Sequence, residues 1–114
     1  MVGILASCSS IQEKPAIQPT EGKLTFAFFF TDGWQPWAQM QPIVDGLETE
    51  YSESVEFTQI NASTPEGLEI FNSYGLFGHP SYLILDETGK VLWQSVGEQP
   101  VGNIQSALET SLEY

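Results

Sequence analysis

Residues 23–42 read KLTFAFFFTDGWQPWAQMQP, and the fold turns on how this stretch divides. Its first part, KLTFAFFF, is a nearly continuous apolar and aromatic run with no polar alternation. A run of strand length with that composition predicts a central β-strand buried on both faces. Thr31, Asp32 and Gly33 end it with turn chemistry. From Trp37 onward the period changes, because Trp37, Met40, Ile43, Val44, Leu47 and Tyr51 recur at three or four residues, the spacing of one helix face. Pro42 falls inside that helix and is expected to kink it. The strand therefore passes into a helix across Trp34, Gln35, Pro36 and Trp37, two indoles placed around a proline.

Outward from this junction the chain keeps alternating. In SVEFTQIN, residues 54–61, Val55, Phe57 and Gln59 alternate with Glu56, Thr58 and Ile60, which predicts a second strand. Ser63, Thr64, Pro65 and Glu66 mark a helix start: an N-cap hydroxyl, a proline in the first turn and a glutamate placed for a capping box. Leu68, Phe71 and Tyr74 form the expected inward face of that helix, and Gly75 its stop. SYLIL, residues 81–85, and VLWQSV, residues 91–96, flank Asp86, Glu87, Thr88, Gly89 and Lys90, a hairpin loop with a glycine for its left-handed position. Residues 101–112, with Val101, Ile104, Ala107, Leu108 and Leu112 in a stripe, predict a closing helix. The order β-α-β-α-β-β-α predicts an α/β domain with a mixed sheet of four strands, parallel first and then antiparallel, covered by helices on both faces.

A chain of 114 residues has room for one core, assigned here to residues 23–114, with residues 1–22 outside it. Three Lys or Arg against fifteen Asp or Glu give a formal charge of -12. That charge repels phosphate backbones and anionic headgroups, so nucleic acid is excluded as an expected partner. Asp45, Glu48, Glu50 and Glu53 match no calcium-loop spacing and read as a solvated helix face.

Cys8 is the only cysteine and His79 the only histidine, so neither an intrachain disulfide nor a metal site of clustered His and Cys can form, and no metal or other cofactor is expected. Leu5, Ala6, Ser7 and Cys8 resemble a bacterial lipobox, in which the cysteine is lipidated and becomes the mature N-terminus. The apolar region before it, about five residues without a basic residue, reads as a truncated lipoprotein signal. Residues 9–22, with Pro15 and Pro19 and little apolar periodicity, read as a flexible tether. These features imply an extracytoplasmic protein anchored to a bacterial membrane by lipid at Cys8. No stretch approaches the roughly 20 apolar residues of a spanning helix.

The element order, the strand-to-helix turn ending in Trp34-Gln35-Pro36-Trp37, and the later Gly78-His79-Pro80 together resemble the thioredoxin fold, over about residues 23–114. Phe29, Pro36, Pro42, Pro80, Gly89 and Gly97 fall at its landmarks. The resemblance implies a cis bond before Pro80, facing the turn. In redox members that turn holds Cys-x-x-Cys, with the first thiolate activated at a helix N-terminus. Anchored on Pro36 and Pro42, those positions are Trp34 and Trp37; anchored on the tryptophan that usually precedes the first cysteine, they are Gln35 and Ala38. Neither register supplies a thiol. The family's buried acid corresponds to Phe28 and its partner lysine to about Gln59, so both groups that handle protons are replaced as well.

What the resemblance leaves is a recognition surface formed by Trp34, Gln35, Pro36, Trp37, His79, Pro80 and Gly97, where an extended peptide of a partner protein would lie. Tryptophan suits such a surface, offering a large stiff area and an N–H. Trp37 also lies on the apolar stripe of its helix, which makes it equally a core residue. His79 has no nucleophile near it in sequence and reads as a packing residue, and Trp93 as a sheet-face residue. The leading functional expectation is a redox-inactive, tethered binding domain. Its alternatives are thiol–disulfide exchange through a partner's cysteines or Cys8, and a structural subunit with the tryptophans in a permanent interface.

Overall fold

The computed structural model describes residues 16–33 and 35–113. Along them run β1 (Leu24–Phe30), α1 (Gln35–Tyr51), β2 (Val55–Asn61), α2 (Pro65–Ser73), β3 (Ser81–Leu85), β4 (Val91–Val96) and α3 (Val101–Leu112). The sheet has the order β2-β1-β3-β4, with β1 parallel to β2, antiparallel to β3, and β3 antiparallel to β4. This is the mixed sheet that the alternation of elements predicts.

β1 sits inside the sheet and is buried from Leu24 through Phe29. On one face Phe26 and Phe28 pack with Met40, Val44 and Leu47 of α1 and with Ile104, Ala107 and Leu108 of α3. On the other, Ala27 and Phe29 pack with Phe71 of α2 and with Leu76, Leu83 and Leu85. Tyr51 links the two helices of the first face, its hydroxyl donating to Glu109 Oε2 at 2.6 Å. At the β3–β4 hairpin, Asp86 Oδ1 accepts from the Thr88 hydroxyl at 2.7 Å and from the Thr88 and Lys90 N–H groups at 2.9 Å each. The Thr88 hydroxyl, then the Lys90 N–H, hold the Asp86 carboxyl below its ordinary pKa. Gly89 takes φ +96° there, the left-handed position expected of it.

Several expectations are corrected. Residues 16–22, read as the end of a flexible tether outside the domain, are in contact with it: Ile17 is buried in the second cluster and its N–H donates to Tyr74 Oη at 3.1 Å. The Gly22 N–H donates to Glu87 Oε1 at 2.8 Å. The cap of α2 is Thr64, whose hydroxyl accepts from the Gly67 N–H, so the third helical residue is a glycine and no capping box forms with Glu66. Leu68 points outward, and Gly67 and Phe71, one turn apart, are the buried residues of α2. Val101 and Leu112 are exposed at the ends of α3, where Ser111 is buried instead.

These assignments predict opposite results from two substitutions on one short helix. Phe71→Ala is expected to lower unfolding free energy by about 3–5 kcal/mol. Leu68→Ser is expected to stay within about 0.5 kcal/mol, measured for both by urea denaturation.

Candidate functional site

The topology gathers four loops at one end of the sheet. β1 and β2 are parallel, so the turn after Phe30 and the loop after Asn61 lie together. β3 runs the other way and begins at Ser81, which brings Gly78, His79 and Pro80 to the same end. β4 finishes there at Val96, followed by residues 97–100.

Hydrogen bonds hold these loops to one another. Asn61 Nδ2 donates to Asp32 Oδ1 at 2.7 Å, and the Asp32 N–H donates to Ser63 Oγ at 2.9 Å. The Ala62 N–H donates to the Phe30 carbonyl at 2.7 Å. The His79–Pro80 peptide bond is cis. On one side of His79 the Gly78 carbonyl accepts from the Ser81 hydroxyl, and on the other the Pro80 carbonyl accepts from the Gly97 N–H at 2.9 Å. Among the described residues the main chain of His79, between those engaged carbonyls, makes no hydrogen bond. Its ring is half-buried and stacks on Phe71, with centroids 4.7 Å apart at 17°. Nδ1 is buried without a partner among the described residues. Beside this loop a depression of about 330 Å³ opens between α1 and residues 98–100, lined by Gln39, Met40, Ile43, Glu98, Gln99 and Pro100.

Of the recognition surface read from sequence, His79, Pro80 and Gly97 are thus joined directly. Gln35, Pro36 and Trp37 form the start of α1 at the same end, where the structure describes their backbone. Trp34 and Cys8 lie outside the described residues. The tie between Asp32 and Asn61 escaped the sequence reading, although each is a polar side chain at the end of an apolar strand. Phe77, 83% exposed beside the cis bond, escaped it as well.

Beneath the loops, one row crosses the sheet: Gln59, Phe28, Tyr82 and Ser95 are successive Cα partners. Phe28 is fully buried and stacks on Tyr82 at 5.5 Å. The Tyr82 hydroxyl is buried with no hydrogen bond of normal geometry. Burial, reinforced by Glu98, pushes this phenol up to about 12, with the Gln99 backbone pulling weakly the other way. Among the described residues there is no group of three or more His, Cys, Asp or Glu that could hold a metal ion, and no helix is long and apolar enough to cross a membrane.

This architecture matches solved thioredoxins. A thioredoxin of Fasciola hepatica aligns with 96% of this chain and 92% of its own, with a TM-score of 0.69 at 18% identity. The chain has a thioredoxin-like fold. A chain from the complex of ferredoxin:thioredoxin reductase with thioredoxin f2 gives the same TM-score and identity, over 80% of this chain and 79% of that one. Among curated proteins, the thiol:disulfide interchange protein TxlA homolog of Synechocystis is 31% identical over 80 residues, 70% of this chain and 44% of that protein. The thioredoxin-like protein HCF164, chloroplastic, of Arabidopsis thaliana is 26% identical over 81 residues, 71% of this chain and 31% of that protein. The chain therefore spans less than half the length of these two curated relatives. No protein-family model matches it.

Within this thioredoxin-like domain, the positions assigned to the family's buried acid and lysine prove to be direct neighbours, Phe28 against Gln59, and neither side chain titrates. The groups that do titrate high are two phenols. The hydrogen bond to Glu109 raises Tyr51 from 10.0 to about 12, and burial does the same to Tyr82. Because the folded values exceed the unfolded one, the stability linked to both phenols is complete below pH 10 and is lost as pH rises toward 12. Ultraviolet titration is expected to show these two phenolates only near the upper value, with one removed by Tyr82→Phe. Deleting a hydroxyl that makes no hydrogen bond of normal geometry among the described residues is also expected to leave stability unchanged or raise it; a loss above about 1 kcal/mol would show that the hydroxyl is engaged.

Proposed function

We propose that this is a redox-inactive thioredoxin-like module that binds or positions a partner protein. An extended segment of the partner would lie along Trp34, Gln35, Pro36, Trp37, His79, Pro80 and Gly97. The observation that carries this reading is the main chain of His79, unpaired among the described residues and held between two engaged carbonyls in a loop beside a turn that contains no cysteine. A free N–H and C=O in a fixed, partly sheltered position are suited to pairing with an extended chain. Cys8 is the only cysteine, so a dithiol cannot assemble within the chain. The domain needs no cofactor in this role. A lipid anchor at Cys8 would place it outside the cytoplasm at a bacterial membrane, the lipobox-like Leu5, Ala6, Ser7 and Cys8 supporting that location.

A second reading is favoured by the relative named as a thiol:disulfide interchange protein. In it the domain serves thiol–disulfide exchange through a partner's cysteines or through Cys8 acting as a resolving thiol.

Insulin reduction separates the two. The purified protein is expected to add no turnover to that of dithiothreitol alone, whereas turnover abolished by Cys8→Ala would establish the exchange reading. Crosslinked partners are expected to be lost in the Trp34→Ala/Trp37→Ala variant, and crosslinks that persist unchanged would remove the groove. Mass spectrometry of the native N-terminus is expected to find diacylated Cys8; a free thiol there would refute the anchor.

A further inference from the structure

Phe77 is 83% exposed, the most exposed large apolar side chain among those described. A phenylalanine in that position forgoes the favourable transfer of its ring out of water. Its surroundings extend the apolar surface. At Gly78 an added Cβ would lie 2.7 Å from Val96 Cγ1, so the Val96 side chain rests directly on the main chain next to Phe77. Val96 is itself 37% exposed. Phe77 and Val96 are therefore exposed apolar residues meeting at Gly78, adjoining His79 on the loop and Gly97 after β4.

Cations are distributed unevenly along the sheet. The described cations are Lys23 and Lys90, the first just before β1 and the second just before β4. Both lie at the end away from the groove, because Thr25 pairs with Leu85 and Leu85 with Val91. At the groove end stand Asp32 in the turn after β1, Glu66 in the first turn of α2 and Glu98 after β4, with no lysine or arginine among the described residues there. An exposed apolar pair at an end with uncompensated carboxylates complements a partner that carries apolar and basic side chains, and repels an acidic one.

We propose that Phe77 and Val96 are the apolar anchor of a docking surface for a basic, extended segment of a partner protein, steered there by Asp32, Glu66 and Glu98. This rests on the groove reading above and specifies its occupant. Phe77 packs against the segment's apolar side chains while the carboxylates face its cations. Salt screens the second contribution and leaves the first.

The test uses two fluorescein-labelled peptides, one alternating Lys and Val, the other with Glu in place of every Lys, titrated by fluorescence polarisation into the full chain. The basic peptide is expected to bind and the acidic twin not. Phe77→Ser is expected to weaken binding about tenfold or more, since a central aromatic anchor carries a large share of interface energy. Glu98→Gln is expected to weaken it by about threefold and to flatten the salt dependence, while Glu87→Gln, at the far hairpin, leaves it unchanged. Phe77 is so exposed that Phe77→Ser retains the fold, which circular dichroism checks. Loss of binding in Trp34→Ala/Trp37→Ala with none in Phe77→Ser would overturn this inference and leave the groove reading standing. Loss in Phe77→Ser with none in the tryptophan pair would support the anchor and remove the groove. Equal binding of the two peptides, equal effects of Glu87→Gln and Glu98→Gln, or no binding of the basic peptide would each overturn the proposal.

Discussion

The structure depends on β1 having no face for water. Phe26 and Phe28 point to one side of the sheet, Ala27 and Phe29 to the other, and all four are fully buried. Burying a phenylalanine contributes roughly 2–3 kcal/mol, so leaving either side of this strand open would forfeit a large part of a small domain's stability. Both faces must be covered, and the chain supplies α1 and α3 for one and α2 for the other. The second face is the thinner. Ala27 is small there, and Phe29 meets Phe71 edge-on, with centroids 5.8 Å apart at 67°.

That requirement also shapes the chemistry of the domain. In a redox thioredoxin the resemblance implies an acid at position 28 and a lysine near position 59. The register makes these two positions partners across β1 and β2. A carboxylate at 28 would stand fully desolvated against Phe30 and Tyr82, with an amide in place of a cation opposite it, at a cost of several kcal/mol. Phe28 removes that cost and adds stacking. The loops above need none of the lost groups, because Gly97 to Pro80, Ala62 to Phe30 and Asn61 to Asp32 are ordinary hydrogen bonds. The loop end of the scaffold is therefore held in place without an acid at 28 or a lysine near 59.

The parts of this fold legible in the sequence are those whose signal is local. β1 reads as central because its apolar run does not alternate, and the hairpin because Asp86 and Gly89 carry turn chemistry on their own residues. In α2 Phe71 is legible and Leu68 misleads. The buried face of this helix is centred on Gly67 and Phe71, and a glycine gives no hydropathy signal, so Leu68 stood in for it. Ile17 is a lone apolar residue among polar ones and prolines; it is buried in a cluster drawn from several distant elements, and its N–H bonds to Tyr74, 57 positions on. At the site, the prolines and the histidine are legible through their landmark spacing. The exposure of Phe77 is not, because an isolated aromatic before a glycine carries no mark of which way it faces. Asp32 and Asn61 meet only because β1 and β2 are parallel and in register to their ends.

The placement of Ile17 ties the first described residues to the site. The Ile17 N–H is bonded to the Tyr74 hydroxyl, and its side chain joins the cluster that holds Phe29 and Phe71. Phe71, one turn before Tyr74, carries the stacked ring of His79. Residues 16–22 and the cis-proline loop therefore rest on the same short helix, and packing lost there would loosen both.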